Sequence, residues 1–328
     1  MRRRLVPTIA AMLLAMSASA QVKASLSSSN MIYTIGFPGE SARIGTLSGV
    51  VGAINPGGRV SADFGFDVVE KNLIGLTLAW RPAGWFNVTA GIQKMPFLFE
   101  NTFSPRSFEM VGYSQATSVL AGYSMDITGI NSRSRDCGIS VSGSIANGHV
   151  DYVAGIFNGN GYSFRDNNRA KDFAGRVMLH VTPALALSAG TMQGRYSLED
   201  GSLADRDRYT AGIWYNDGSI FFRAEDMYGK TADTFSNGIF AMGGIWLRGK
   251  YAFAARVDSF IRDVDVRETM RTDAALSFSH LLYRQDIGYR VQFTHSFLPA
   301  GRDSDSLTLC FICRFGTIIS LKSKSLAE

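Results

Sequence analysis

Six arginines, Arg81, Arg176, Arg223, Arg256, Arg290 and Arg314, fall on the polar side of segments in which apolar and polar residues alternate. A guanidinium group is permanently charged and presents a planar fork of donors suited to carboxylate or phosphate. A ring of such groups along a water-filled passage lowers the barrier to anions. Asp63, Asp67, Asp151, Glu225 and Asp258 occupy the same side. A neutralised, hydrogen-bonded wall is therefore an equal reading of the pattern.

Covalent chemistry has little support. His149, His180, His280 and His295 are scattered, with no HxxxH or HExxH pair and no GxSxG elbow. His295-Ser296 is an isolated nucleophile–base adjacency with no evident acid, so no catalytic residue is expected. Cys310 and Cys313 are spaced as CxxC, but in a strand i and i+3 point to opposite faces. No metal site, disulfide or cofactor is expected there, and Cys137 reads as a small strand residue.

The alternation itself has period two. Val60–Val68 places its apolar set on one face and Ser61, Asp63, Gly65 and Asp67 on the other. Ile74 to Arg81, Ile139 to Ile145 and Ile287 to Thr294 repeat the pattern. Gly 34 and 12% aromatic residues suit pleated sheets and tight turns. No apolar run after the first 20 residues has the eighteen or so residues of a spanning helix.

Those first residues carry an export signal: Arg2–Arg4, an apolar stretch from Leu5 to Met16, and the small-residue site Ala18-Ser19-Ala20. Gln21 rather than Cys follows, which does not indicate a lipid anchor. Removing the three signal arginines lowers the formal charge from +5 and leaves 30 basic against 28 acidic residues. No basic block points to nucleic acid.

An exported ladder of amphipathic strands predicts an all-β, transmembrane antiparallel β-barrel in the outer membrane of a Gram-negative-type envelope, surrounded by its lipid. Fewer than 30 residues precede the strong strands, too few for a globular plug. Short turns at Asn147-Gly148, Thr182–Ala184, Asn216–Gly218, Arg248-Gly249 and Arg284-Gln285 alternate with longer loops near 158–172, 197–207, 229–237, 261–270 and 296–305. Counting back from a last strand near 306–315 gives about sixteen strands if one lies near 30–36. Both termini then face the periplasm. Trp80, Trp85, Trp214 and Trp246, all close to short turns, are expected in an interfacial girdle. The divisions expected are a signal peptide at 1–20, a barrel at 21–315 and a C-terminal extension at 316–328.

Gly91–Phe97 with Phe99-Glu100-Asn101, Arg135–Ile139, Ala154–Gly161 and Lys171–Arg176 together resemble, in order and spacing, the motifs of the phosphate-selective porin family. The resemblance spans about 85–196. It implies a sixteen-stranded, usually trimeric outer-membrane porin, with phosphate among its solutes. Cys137 and the tail beyond Phe315 depart from the family pattern.

Residues 95–136 form the one long excursion, too apolar for disorder with Phe97, Phe99, Phe103, Phe108, Met110 and Val111. They are expected to fold into the lumen as a constriction, with Arg106, Glu109, Arg133 and Arg135 facing wall arginines such as Arg176 and Arg223. The alternative is a cap or subunit contact outside the bore. Glu199, Asp200, Asp205 and Asp207 outweigh Arg206 in one outer loop, and only Arg165, Arg169 and Lys171 lean basic. The expected function is passive diffusion of small hydrophilic solutes or ions, with weak anion preference at most. The competing readings are a non-conducting structural or adhesive barrel and a secreted all-β binding protein.

Overall fold

The computed structural model describes residues 21–320, apart from 29–30, 37–38, 45–46, 55–57, 70, 104–108, 125–126, 131, 162–167, 284–286 and 314. The expected signal peptide at 1–20, Arg106, Arg165, the expected Arg284-Gln285 turn, Arg314 and residues 321–328 lie outside the described residues. The chain forms one antiparallel sheet. Its first nine strands are β1 (Gln21–Ser28), β2 (Met31–Gly36), β3 (Gly39–Ile44), β4 (Leu47–Ile54), β5 (Val60–Asp67), β6 (Asn72–Ala83), β7 (Phe86–Lys94), β8 (Arg135–Ile145) and β9 (Val150–Phe157). Then follow β10 (Asp172–His180), β11 (Leu185–Ser197), β12 (Leu203–Asn216), β13 (Ile220–Thr231) and β14 (Thr234–Leu247). The last are β15 (Tyr251–Ile261), β16 (Met270–Tyr283), β17 (Ile287–Phe297), β18 (Ser304–Cys313) and β19 (Phe315–Ser320).

From β4 to β18 each strand pairs with the next in sequence. At the seam β1 lies between β4 and β19, and β2 between β3 and β18. Gln21 opposite Ile54 and Met31 opposite Ile44 keep a single register. Among the described residues the pairs β1/β2, β3/β4 and β18/β19, each adjacent in sequence, thus share three positions, and the nineteen segments fill sixteen, first beside last. The strand expected near 30–36 is β2. The last position begins at Ser304 and runs to Ser320, past the expected stop at Phe315, because β19 continues the ladder against β1.

The pleat sends apolar side chains outward. Leu78, Ile139, Ile156, Val177, Ile239, Val257, Leu276 and Phe311 are 50–64% exposed, forming an apolar outer belt. Trp80 and Trp85 belong to it, at 51% and 61% exposure. Trp214 and Trp246 do not. Both sit at inward positions, Trp214 against Phe99 and Phe103 and Trp246 donating to Glu109 Oε1. Proximity to a turn set their expected place; strand parity sets their face. Cys310 points inward beside Ile312 and Val111, while Cys313 lies on the opposite parity, as i and i+3 require.

One expected loop is absent. Around 229–237 only Ala232 and Asp233 separate β13 from β14, since Lys230 and Thr231 still pair with Phe235 and Thr234. Polar residues here continue the strands above the apolar belt, and polarity alone misplaced the boundary. The short turns rest on local chemistry: Arg248 and Gly249 both adopt positive φ. At the β12–β13 turn the Asp217 carboxylate accepts N–H bonds from Ser219 (2.8 Å) and Ile220 (2.7 Å) and the Tyr215 hydroxyl (2.9 Å).

Those bonds, that from Ile220 foremost, hold the Asp217 pKa below the ordinary carboxylate value. The contribution is therefore complete above the unfolded-state value and is lost as pH falls through the folded one. Asp217→Asn should lower stability at neutral pH, and its gap from the native chain should close on acidification. Urea titrations across pH check this, and a gap constant with pH contradicts it. Leu276→Arg, in the middle of β16, should destabilise the barrel by roughly 2–4 kcal/mol, against about 0–1 kcal/mol for Leu282→Arg near the turn. Equal costs in vesicle unfolding would contradict the belt's placement.

Candidate functional site: the lumenal loop and its wall

The segment between β7 and β8 enters the barrel. Its strand boundary falls at Arg135, so Arg135 and Asp136 belong to β8 and the loop is 95–134. Met95, Phe97, Leu98, Ala116, Leu120 and Ala121 pack on inward residues Phe157, Ala174, Met192, Met227 and Phe260. Met110 makes a second cluster with Phe221, Phe240, Met242, Ala254 and Ala275. These contacts set the apolar side chains of the loop against inward faces of the wall. Wall glycines allow the approach: a Cβ on Gly190 would lie 2.0 Å from Phe97 O, and one on Gly238 2.5 Å from Ala116 Cβ.

Within the loop the helix α1 (Gln115–Leu120) begins at Ser114, whose hydroxyl accepts from Thr117 N–H. The Glu100 carboxylate receives the Ser114 N–H and hydroxyl, the latter at 2.7 Å. The Tyr113 and Tyr123 rings meet at a tilt with 4.6 Å between centroids, and Tyr123 donates to Asn101 Oδ1. Burial raises both phenol pKa values above the ordinary one, keeping the hydroxyls neutral donors.

A buried loop must find partners for its peptide groups. Wall acids take the N–H groups: Phe99 and Glu100 donate to Glu225 at 2.8 and 2.9 Å, and Gln115 donates to Asp258 at 2.8 Å. Wall arginines take the carbonyls: Arg176 donates to Leu98 O (2.7 Å), Arg290 to Met110 O (3.0 Å), Arg256 to Gly112 O (3.2 Å) and Arg208 to Leu120 O (3.4 Å). Ser277 reaches Glu109 O and Gln292 accepts from Val111 N–H. The loop is thereby held along β10 to β17.

The expected selectivity residues separate accordingly. Glu109 meets Arg223 at 2.7 Å, both buried, with the guanidinium over the Phe103 ring. Arg223, Arg256 and Arg290 are only 4–7% exposed. They hold the loop and do not line open water, which corrects their expected place in the bore. Arg81, by contrast, is exposed and donates to Ser61 Oγ at 2.6 Å. Arg133 sits at φ 52° with its N–H on Gly122 O, and Arg135 lies beside the Tyr113–Tyr123 pair. Arg206, expected in an outer loop, points inward from β12, pairs with Asp172 and donates to Gly159 O.

The sequence reading missed Glu100, Glu225 and Asp258 as anchors for the loop backbone. Periodicity marked the two wall acids as inward; nothing local marks their peptide partners, more than a hundred residues away.

The architecture has counterparts. No family model matches the chain, and no curated protein does. Among solved structures it is similar to an anion-selective porin from Comamonas acidovorans, at TM-score 0.69 and 15% identity, over 90% of this chain and 100% of that one. OmpT of Vibrio cholerae matches at TM-score 0.67 and 9% identity, over 91% and 99%. The outer membrane channel DcaP of Acinetobacter baumannii matches at 0.65 and 10%, over 90% and 97%. The fold is that of a porin barrel. The narrower resemblance to phosphate-selective porins gains no support from these matches.

Loosening one anchor should free the loop without opening the sheet. Glu225→Leu strands two buried N–H groups, at about 1–3 kcal/mol each. Limited proteolysis in micelles should then cut within 95–134 faster than in the native chain, with far-UV circular dichroism unchanged. Glu225→Gln should fall between. Equal cleavage in all three would show that the remaining anchors suffice.

Proposed function

We propose that this chain is a passive outer-membrane channel for small hydrophilic solutes and ions. The observation that carries the reading is the lumenal loop, tied to one side of the wall from β10 to β17. On the other side the loop is held near its root, where Lys94 of β7 donates to Asn101 O (2.7 Å) and Phe103 O (3.3 Å) and Phe157 of β9 packs on it. Elsewhere β5 to β9 carry the inward polar residues Ser61, Asp63, Arg81, Ser142, Ser144 and Asp151. A one-sided loop narrows a bore and leaves a polar passage beside it. The apolar belt and the similar solved structures support a location in the outer membrane. One similar structure is described as a trimer form, and assembly as a homotrimer is part of the proposal.

Ion preference follows from which charges meet water. The clamped arginines are committed to loop carbonyls or to Glu109, whereas Arg81 is exposed, on a stretch of wall whose inward faces also carry Asp63 on β5 and Asp151 on β9. Opposed charges along the passage predict a weak preference and no dedicated phosphate site. Purified protein in planar bilayers should give discrete conductance steps, and their absence would favour the occluded, non-conducting barrel. In a salt gradient Arg81→Ala should move the reversal potential towards cations more than Arg290→Ala does. The reverse order would return selectivity to the clamped arginines.

A further inference from the structure

At the short-turn end of the lumen a cleft of about 330 Å³ opens beneath the point where Arg176 holds Leu98. Its polar lining comes from four strands: Asn87 on β7, Ser142 and Ser144 on β8, Asp151 on β9 and Arg176 on β10. Val153 and Met178 supply an apolar patch in the same wall. The Ser-x-Ser spacing puts two hydroxyls on one face about 6.7 Å apart.

The charges in this cleft are already engaged. Asp151 accepts from His180 Nε2 at 2.8 Å, and Arg176 donates to Leu98 O. A free anion would have to approach the Asp151 carboxylate, and a cation would compete with His180 and Arg176. What remains is the Ser142 and Ser144 hydroxyls, the Asn87 amide oxygen (its N–H group donates to Ser142 O) and the acceptor positions of Asp151 not taken by His180, beside the apolar patch. That combination matches a neutral polyhydroxylated ring, whose edge carries hydroxyls and whose face carries C–H groups. We propose that this cleft is a binding station for a monosaccharide-sized neutral sugar on its way through the lumen. The proposal rests on the channel reading and adds a solute class to it.

The test uses the full chain in detergent micelles and in planar bilayers, with glucose, glycine and inorganic phosphate as separate probes. Glucose should give saturation-transfer NMR signals in micelles and a saturable fall in open-channel current in bilayers. Asp151→Asn and Ser142→Ala should raise the half-saturating glucose concentration, Asp151→Asn by about tenfold, as expected for loss of a charge-assisted hydrogen bond. Conductance steps without glucose signals in either assay would overturn the sugar station and leave the channel reading standing. Glucose signals in micelles without conductance steps would keep the station and overturn the channel. Saturable phosphate or glycine signals in place of glucose, or glucose binding indifferent to both variants, would overturn the proposal.

Discussion

Everything inside this barrel follows from the need to pair the peptide groups of a loop that has left water. The pleat turns a belt of apolar residues outward, and the charged and polar side chains of the strands face the lumen, beside an apolar patch that the loop covers. An unpaired buried N–H or C=O is expensive. The 95–134 loop meets that cost with side chains from the wall: carboxylates for its N–H groups, guanidinium groups for its carbonyls. Remove the wall charges and the loop has no reason to lie where it does. Remove the loop, and Arg223, Arg256 and Glu225 face a wide aqueous lumen.

This division of labour changes what an arginine row means. In the sequence such a row reads as an electrostatic lining. In the structure most of it works at short range, as a set of hydrogen-bond donors fixed to single carbonyl oxygens. The long-range field along the passage is left to the exposed minority, Arg81 among them.

The fold was legible because β-strands write their burial into period two. Val60–Val68 and Ile287–Thr294 announce their outward faces, and the sixteen positions emerge from counting turns. The site was legible only in part. Parity puts Arg290 and Glu225 inward, yet their partners at Met110 O and Phe99 N lie far away in sequence and are peptide groups that any residue supplies. The tryptophans show the same limit from the other side. Trp214 and Trp246 sit near turns, as girdle residues do, but a one-residue difference in parity sends them to the loop instead of the lipid. At 229–237 polar composition suggested a loop where the ladder simply continues beyond the apolar belt.

The seam where first and last strands meet has a consequence for how the molecule is made. Gln21 sits opposite Ser320, so the cylinder is latched where the first described strand meets the last. Internal hairpins can form as soon as neighbouring segments are present, but the latch requires the most distant contact in the polymer and the highest loop-closure entropy. Until it forms, the sheet has two raw edges, each a row of backbone donors and acceptors that hydrocarbon cannot satisfy. Removing β1 or β19 therefore removes far more than its own few hydrogen bonds. It turns a sealed cylinder into an open ribbon that a bilayer will not accept.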